Sequence, residues 1–276
     1  MRPRYDPAMP TKLDEIVAHK RTEVAALAAA RSLASLRDEA ESAAAPVRDF
    51  AAALRTARVP GQTLAVIAEI KRASPSAGTI AADIDPAEVA QRYAAAGAAC
   101  ISVLTDGRFF GGSDATLQTV RRCGVTTPLL RKDFLIDPLQ LYQARAIGAD
   151  AVLLIAECLP GGQLGELHAL TRELGMHALV ELYDEANLDR VLAIDPAIVG
   201  VNNRDLRTFA VDIEHSRRLR ERVPANVLFV SESGLKTAAD TEPLRASQVD
   251  AILVGETLMR ADDTAAKLAE LSGRQR

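Results

Sequence analysis

One local pattern recurs three times along the chain and limits the folds open to it. A glycine, a short step of small or polar residues and then an apolar run occur in AAGAACISVLT (95–105), AIGADAVLLIA (146–156) and ELGMHALVELY (173–183). Glycine is favoured just past a helix because it adopts left-handed backbone angles without a steric penalty. Short runs of Val, Ile and Leu bounded by turns are typical of strands covered on both faces. Each repeat therefore predicts a helix end, a turn and a buried strand.

Five further apolar runs bring the number of predicted strands to eight. They are LAVIAEIK (64–71), PLLRKDF (128–134), AIVGVNN (197–203), VLFVSESG (227–234) and AILVGE (251–256). Helical patterns lie between the runs, and two of them begin at Asp85–Pro86 and Asp137–Pro138, where aspartate can cap a helix and proline suits its first turn. Eight strands alternating with helices predict an α/β protein with a parallel (β/α)8 TIM barrel. An open doubly wound sheet would alternate too, but the Gly-x-Gly-x-x-Gly turn expected after its first strand is missing.

About sixty residues precede the first predicted strand, and they read as a helical extension. Thr11 and Asp14 have the spacing of a capping box at the start of an amphipathic helix. A second short helix is predicted within 47–59, where DFAAALRTAR precedes the stop signal Pro-Gly. The apolar residues at helical spacing in the first helix are Leu13, Ile16, Val17, Val24 and Leu27.

Two helices are too few for a core of their own, so we expect the extension to dock on the barrel. The predicted organisation is a single domain over 1–276, with the extension at 1–60 and the barrel at 61–276. Residues 1–9, rich in proline and charge, are expected to be loosely ordered.

Charge and composition argue against several classes of protein. The net charge is −4 at pH 7 with acidic and basic residues interspersed, which disfavours a nucleic-acid partner. No segment approaches the roughly 20 apolar residues of a membrane span, and the first ten residues lack an apolar signal-peptide stretch, so we expect a cytoplasmic protein without a membrane partner. Cys100, Cys123 and Cys158 form no Cys-x-x-Cys pair and the histidines show no ligand spacing, so neither disulfides nor a metal site is predicted.

Polar side chains gather at the carboxyl ends of the predicted strands, where active sites of this fold form. Glu69 and Lys71 share one side of the first strand, because alternate strand residues point the same way. Taken singly, such residues could be ordinary charged strand ends, and this pair could be a structural ion pair. Two lysines and two glutamates converging from separate strands favour catalysis, since close like charges shift each other's pKa and cost stability. The polar residues at these ends are Glu69, Lys71, Lys132, Glu181, Asn202, Ser231, Glu232 and Ser233.

Two glycines at the ends of the last strands predict a phosphate site. Gly234 in SESG and Gly255 in VGET lie where loops begin, and barrels bind phosphate with the loops after strands seven and eight and a helix N-terminus. Ordinary turn formation would explain both glycines equally well. Glu256 can contribute its backbone only if its carboxylate points away from the anion. Phe109 and Phe110 in GRFFGG predict a wall for an aromatic ring, with loop packing as the alternative.

Six short motifs in this order resemble those of the indole-3-glycerol phosphate synthase family. They are EIKRASPS (69–76), LLRKDF (129–134), LVELY (179–183), GVNNRDL (200–206), SESG (231–234) and LVGE (253–256). The likeness spans the barrel and includes LDEIVAHKRTEV (13–24) in the extension. This family converts 1-(2-carboxyphenylamino)-1-deoxyribulose 5-phosphate to indole-3-glycerol phosphate, CO2 and water in tryptophan biosynthesis, without a metal or organic cofactor.

The resemblance implies a role for each candidate residue. Lys132 is the general acid that protonates the substrate carbonyl as the aromatic carbon attacks it. Lys71 engages the substrate carboxylate and assists dehydration, and Glu181 is the proton-transfer partner. The implied orienting residues are Glu69 and Asn202 with Ser233 beside them, the phosphate ligands are Ser74, Arg204, Gly234, Gly255 and the Glu256 backbone, and the ring contacts are Phe110, Phe134 and Leu153.

These roles carry an expectation about acidity. A lysine donates a proton near pH 7 only if its pKa is lowered, and partial burial and the second lysine are expected to lower that of Lys132. The expected partner is a small phosphosugar substrate, with transient contact with other tryptophan-pathway enzymes. Two alternatives remain. One is another phosphosugar barrel, similar to phosphoribosylanthranilate isomerase, without the two-lysine set; the other is a catalytically silent phospho-ligand binding module, which needs neither Lys132 nor Glu181.

Overall fold

Eight parallel strands close into a barrel in which each strand pairs with its neighbours in chain order and the last returns to the first. This arrangement, in a computed structural model, confirms the predicted (β/α)8 barrel and excludes the open sheet. The structure describes residues 11–43, 46–75, 78–81, 83–205 and 210–274. The expectation for residues 1–9 and the motif ends Ser76 and Leu206 lie outside these described residues.

The barrel strands coincide with the eight predicted apolar runs. All but the ends of two of them are buried, because side chains fill the barrel inside and helices cover it outside. A short hairpin, Ala73–Ser74 paired with Gly78–Thr79, follows the first strand. The strands are β1 (Ala65–Ile70), β2 (Cys100–Leu104), β3 (Leu129–Lys132), β4 (Ala151–Ile155), β5 (His177–Leu182), β6 (Ile198–Asn202), β7 (Leu228–Glu232) and β8 (Ala251–Val254).

The extension contains α1 (Lys12–Ala30), α2 (Leu33–Glu41) and α3 (Phe50–Ala57). The Thr11–Asp14 capping box is present at the start of α1, as predicted, and α3 is the predicted second short helix. The expectation of only two helices is wrong, because α2 was missed. Its start is set by Ser32, whose hydroxyl accepts a hydrogen bond from the Ser35 amide at 3.1 Å.

Several helices of the barrel begin where short polar residues cap their first turns. Asp85 accepts a hydrogen bond from the Ala87 amide, and Asp137 accepts one from the Leu139 amide. Each aspartate lies directly before a proline in the first helical turn, as predicted. These helices are α4 (Pro86–Ala95), α5 (Gly107–Phe110), α6 (Asp114–Arg122), α7 (Pro138–Ala146), α8 (Gln163–Glu173), α9 (Leu188–Leu192), α10 (Glu214–Arg220), α11 (Ala238–Ala246), α12 (Glu256–Met259) and α13 (Thr264–Ser272).

The segment 46–58, which includes α3, crosses the amino-terminal end of the barrel and is anchored at both of its ends. The Arg48 amide donates to Asp150, directly before β4, at 2.8 Å. Arg58 pairs with Asp250, directly before β8, at 2.9 Å. Each aspartate also accepts the backbone amide of a residue in the preceding strand, Leu129 or Phe229. We call this segment the floor strap.

No helix in the described part of the chain is long and apolar enough to cross a membrane.

Candidate active site

A cavity of about 500 Å³ lies at the carboxyl ends of the strands. Polar residues gather there because each strand ends in the loop that carries its last side chains into the opening. The cavity is lined by all the residues to which the family resemblance gave a role, which are Glu69, Lys71, Ser74, Phe110, Lys132, Phe134, Leu153, Glu181, Asn202, Arg204, Ser233, Gly234, Gly255 and Glu256.

Glu69 and Lys71 lie side by side at the end of β1. Lys71 Nζ is 2.6 Å from Glu69 Oε1, as the alternation of side chains along a strand requires. Burial by itself would raise the pKa of Glu69, but the charges of Lys71 and Lys132 outweigh it and hold that pKa below its usual value. Glu69 is therefore an ionised carboxylate at neutral pH.

Lys132 lies among three glutamates at the bottom of the cavity. Its Nζ is 3.5 Å from Glu232, 3.6 Å from Glu181 and 4.0 Å from Glu69. We call these four residues the Lys132 cluster. Burial alone would lower the pKa of Lys132, but the negative charges of Glu181, Glu232 and Glu69 raise it above the ordinary lysine value. The expected lowering of the Lys132 pKa is therefore wrong. The positive charge of Lys71 is balanced by its ion pair with Glu69, and three carboxyl groups face Lys132.

Glu232, at the end of β7, was noted as a strand-end residue but not selected for the site. Its side chain is 1% exposed, and neither carboxyl oxygen has a hydrogen-bond partner among the described residues. Burial and the neighbouring Glu181 charge raise its pKa well above the usual value, and Lys132 only partly opposes them. The carboxyl therefore holds its proton to higher pH than a free glutamate does, 3.5 Å from the Lys132 ammonium.

A glycine makes room for this carboxyl. A β-carbon at Gly200 in β6 would overlap a Glu232 carboxyl oxygen and press on Leu179 of β5. The sequence signal that could have identified Glu232 is its place two residues after Val230, on the same side of β7, where Val230 is paired with the glycine at 200.

Asn202 ends β6 and links the strands on either side of it. In the register of the sheet it lies opposite Glu232, and its amide donates to Glu181 Oε1 at 3.3 Å. Its carbonyl oxygen accepts the Arg204 amide at 3.0 Å. The amide side chain therefore orients Glu181 on one side and the start of the following loop on the other.

The loop after β7 has an uncommon backbone shape. Ser233 has φ 70° and Gly234 has φ 84°, so both lie in the left-handed region, where a serine is strained. A β-carbon at Gly234 would also collide with Val211. Both residues line the cavity, with Lys236 and Arg260 on the same side. This rim is rich in cations and backbone amides, which suits an anion.

Gly255 has a reason to be glycine that the sequence did not indicate. Its φ is −113°, which any residue adopts, but a β-carbon there would overlap the Glu69 carboxylate and touch Lys71 Nζ. The glycine therefore lets β8 end against the Glu69–Lys71 pair. The carboxylate of the next residue, Glu256, is bound to Arg260 at 3.0 Å.

The apolar wall is formed by Phe110, Phe134 and Leu153. The two phenylalanine rings lie 6.1 Å apart at a tilt of 35°. Phe109 does not line the cavity; its ring contacts His19 of α1 edge-on at 5.9 Å, so loop packing is the correct description for this residue. Helix α1 adds Lys12 and Ile16 to the cavity, a contribution that the apolar spacing alone did not reveal.

A second buried lysine lies behind this wall. Lys20 of α1 is 1% exposed, and its Nζ is 2.8 Å from both Asp106 and Asp133 and 2.7 Å from Glu23. We call these four residues the Lys20 cluster. Asp106 follows β2 and Asp133 directly follows Lys132, so the cluster fastens α1 to two loops of the catalytic end.

Comparisons with known proteins show which family the chain resembles along most of its length. A family model described as indole-3-glycerol phosphate synthase matches residues 13–271. An indole-3-glycerol phosphate synthase of Polaromonas sp. is 48% identical over 261 residues, covering 95% of this chain and 98% of the relative. One from Rhodopirellula baltica is 50% identical over 258 residues, covering 92% and 95%. A solved 4-hydroxy-2-oxoglutarate aldolase/2-deydro-3-deoxyphosphogluconate aldolase, at 17% identity and a TM-score of 0.56, covers 80% of this chain and 96% of its own and shares the fold alone.

Proposed function

Because the chain belongs to the indole-3-glycerol phosphate synthase family, we propose how its cavity residues divide the work of that reaction. The reaction is ring closure, decarboxylation and dehydration of 1-(2-carboxyphenylamino)-1-deoxyribulose 5-phosphate to indole-3-glycerol phosphate, a carboxy-lyase step of tryptophan biosynthesis. One observation carries the division of roles: the Lys132 ammonium lies 3.5–4.0 Å from three buried carboxyl groups in the cavity.

Lys132 is the proton donor to the ketone oxygen of the substrate. In the first step the ring carbon that bears the carboxylate bonds to the ketone carbon, and the C=O electron pair moves to oxygen. An ammonium with a raised pKa stays charged at neutral pH, so Lys132 carries a proton that it can donate. Transfer follows once the oxygen becomes alkoxide-like and more basic than an amine, which means that the developing substrate charge drives it.

Glu69 and Lys71 act on the steps that follow. Glu69, ionised beside two lysines, stabilises the positive charge that ring closure leaves on the anilinium-like intermediate. Lys71 holds the substrate carboxylate until its bond to the ring breaks, when CO2 leaves and the bonding electrons restore the aromatic ring. Lys71 then protonates the hydroxyl that departs as water, and Glu181 takes the proton that the new five-membered ring loses.

Glu232 returns a proton to Lys132 between turnovers. Its carboxyl has a pKa raised by burial and by the Glu181 charge, so it holds a proton more readily than a free glutamate, and it lies 3.5 Å from Lys132 Nζ. The neutral amine left after donation accepts that proton, because the carboxyl groups around Lys132 favour its charged form. Glu232 then recovers its proton from water or from neighbouring Glu181.

The remaining residues hold the two ends of the substrate. We assign the phosphate to Ser74, Arg204, Gly234, Gly255 and the Glu256 backbone, supported by the cationic rim and by the engagement of the Glu256 carboxylate with Arg260. Asn202 and Ser233 orient the ribulose hydroxyls between the two ends. The aromatic ring of the substrate packs against Phe110, Phe134 and Leu153.

The test is turnover of the carboxyphenylamino-deoxyribulose phosphate by EDTA-treated protein, followed by indole fluorescence. The chain has no tryptophan, so the background is low. Wild type should turn over, Lys132→Met should not, and the matched control Lys267→Met, in an ion pair with Glu270 at the surface, should match wild type. Tight binding of the substrate without turnover by wild type would favour the silent binding module instead.

We also propose that the extension and the barrel act as one unit, supported by the Lys20 cluster and the floor strap. Truncation of residues 1–60 should then destroy activity more than folding, because Lys12 and Ile16 line the cavity. Full turnover by a folded truncated barrel would contradict this.

The location and the partners follow from the chemistry of the substrate. A free phosphorylated metabolite points to work in the cytoplasm, without nucleic acid or membrane, and with transient contact with enzymes of the same pathway. Cell fractionation and crosslinking in growing cells would check both points; recovery of the chain with membranes would contradict the first.

A further inference from the structure

A buried asparagine behind the barrel wall holds the loop after β7. Asn203 directly follows β6, is 0% exposed and points away from the cavity, between β7 and α10. Its side-chain amide donates to Ser231 Oγ at 3.0 Å and to the Ser233 carbonyl at 3.1 Å. Its side-chain oxygen accepts from the amide and the hydroxyl of Ser216 in α10. The side chain is therefore fixed from three directions.

The bond to the Ser233 carbonyl has a consequence on the other side of the peptide plane. The Ser233–Gly234 peptide is trans, and in a trans peptide the C=O of one residue and the N–H of the next point in opposite directions. Since Asn203 draws the Ser233 carbonyl outward, the Gly234 N–H is directed toward the cavity that Gly234 lines. Among the described residues this N–H has no acceptor.

The conformation that allows this is not one that the loop would adopt unaided. Ser233 has φ 70°, a left-handed angle that is sterically unfavourable for a residue with a β-carbon. The Asn203 amide is the group that compensates, because it is donated to the carbonyl of the strained residue itself.

We propose that Asn203 is a positioning residue that aims the Gly234 N–H at the phosphate of the substrate. The inference rests on the proposed function, which places the phosphate at this loop. Asn203 touches no substrate atom and acts through the orientation of one peptide group. Its loss should weaken binding of the phosphate and leave the proton transfers at the Lys132 cluster in place.

The experiment compares Asn203→Ala with the matched control Ser231→Ala. The control removes one buried hydrogen bond from the same group but keeps the bond from Asn203 to the Ser233 carbonyl. Calorimetry measures the affinity for inorganic phosphate, and steady-state assays measure KM and kcat. Asn203→Ala should lose about tenfold in phosphate affinity, equivalent to one hydrogen bond to a charged group, and raise KM about tenfold with kcat within about threefold. Ser231→Ala should stay within about twofold in each.

Several results would overturn the proposal. They are an unchanged phosphate affinity in Asn203→Ala, an equal loss in Ser231→Ala, or a fall in kcat at constant KM. Absence of turnover by wild type would instead remove the proposed function, so the two failures are distinguishable.

Two further measurements cover a variant that does not fold. Asn203→Asp keeps the size and the acceptor toward Ser216 while replacing the donor toward Ser233, and it should show the same rise in KM. In wild-type protein labelled with 15N, phosphate should move the Gly234 amide proton downfield as the N–H gains its acceptor. A Gly234 resonance that phosphate leaves unmoved would refute the proposal without any variant.

Discussion

The buried Lys20 and the partly buried Lys132 differ in how closely their carboxyl partners approach and in whether they reach the cavity. Lys20 and Lys132 each face three carboxyl groups, and the carboxylates raise the pKa of both despite burial. The Lys20 cluster has contacts of 2.7–2.8 Å, whereas those of the Lys132 cluster are 3.5–4.0 Å. Only Lys132 lines the cavity.

The contrast teaches that a shifted pKa does not by itself identify a catalytic group. Desolvation and nearby charges shift a structural lysine as much as a reactive one. What distinguishes the Lys132 cluster is loose contact, access to the cavity and a carboxyl, Glu232, without hydrogen-bond partners among the described residues. In the Lys20 cluster, Asp106 Oδ2 also lacks a hydrogen bond but is 2.8 Å from the Lys20 ammonium, whereas both oxygens of Glu232 lack hydrogen-bond partners among the described residues, a cost in stability that a bound substrate would offset.

The largest expected effect is on turnover, from Lys132→Met. Loss of the general acid should lower kcat on the order of 10³-fold. Stability should change less than in Lys20→Met, because the contacts of Lys132 are longer than those of Lys20 and Glu69 keeps Lys71 as its partner. Assays beside urea unfolding check both parts. A large loss of stability with only a modest loss of turnover would mean that Lys132, like Lys20, has a structural role, and would contradict the distinction between the two lysines.

The next largest effect is on stability, from Lys20→Met. Removing the ammonium leaves Asp106 and Asp133 buried without it, which should cost about 3 kcal/mol in the free energy of unfolding. Urea unfolding measures this.

A second substitution tests the cause. Asp106→Asn, added to Lys20→Met, removes one stranded charge and keeps the cap on the Phe109 amide, so much of the stability should return. If the double variant is no more stable than the single one, lost packing and not stranded charge explains the effect.

Glu232→Gln should lower kcat about 100-fold, because glutamine keeps the shape but cannot return a proton. It should also change how stability depends on pH. The raised pKa of Glu232 means that its contribution is fully present below the unfolded-state pKa and is lost as pH rises through the folded-state value. Wild type should therefore lose stability as pH rises from the unfolded-state value to the folded-state value, and the glutamine variant should not. Parallel pH dependences in the two proteins would show that Glu232 is ionised throughout.

The smallest expected effect comes from an ion pair at the surface, which serves as a reference for the Lys20 and Lys132 clusters. Arg37 and Glu41 of α2 are 2.8 Å apart, as close as the contacts of Lys20, but both are largely exposed. Arg37→Ala should leave the urea midpoint unchanged within error, since exposed ion pairs are screened by water and salt. A shift comparable to that of Lys20→Met would mean that contact distance, and not burial, sets the energy.

The barrel could be predicted because its signals are local. The glycines at 97, 148 and 175 all take positive φ after their helices, and the aspartate–proline starts are present as capped first turns. The helix α2 was missed because it follows α1 after only Arg31 and Ser32, with no glycine or proline to mark the break. Its position is fixed instead by packing against α7, a contact that sequence periodicity does not encode.

The site was predictable in membership but less so in its electrostatics. Strand parity predicts that Glu69, Lys71, Lys132 and Glu181 meet, but the sign of a pKa shift depends on which charges end nearest in space. The charges of Glu181, Glu232 and Glu69 raise the pKa of Lys132, whereas burial and the second lysine were expected to lower it. Gly200 and Gly255 likewise looked like turn or strand glycines, whereas both make space for glutamate carboxyls that arrive from other strands.

The floor strap has a consequence for the order of assembly. Asp150 and Asp250 precede β4 and β8, which stand half a turn apart around the closed ring. The strap leaves the ribosome early, yet its second anchor is made near the end of the chain. It can fasten at both ends only after the last strands exist. The strap is therefore complete only once the ring has closed.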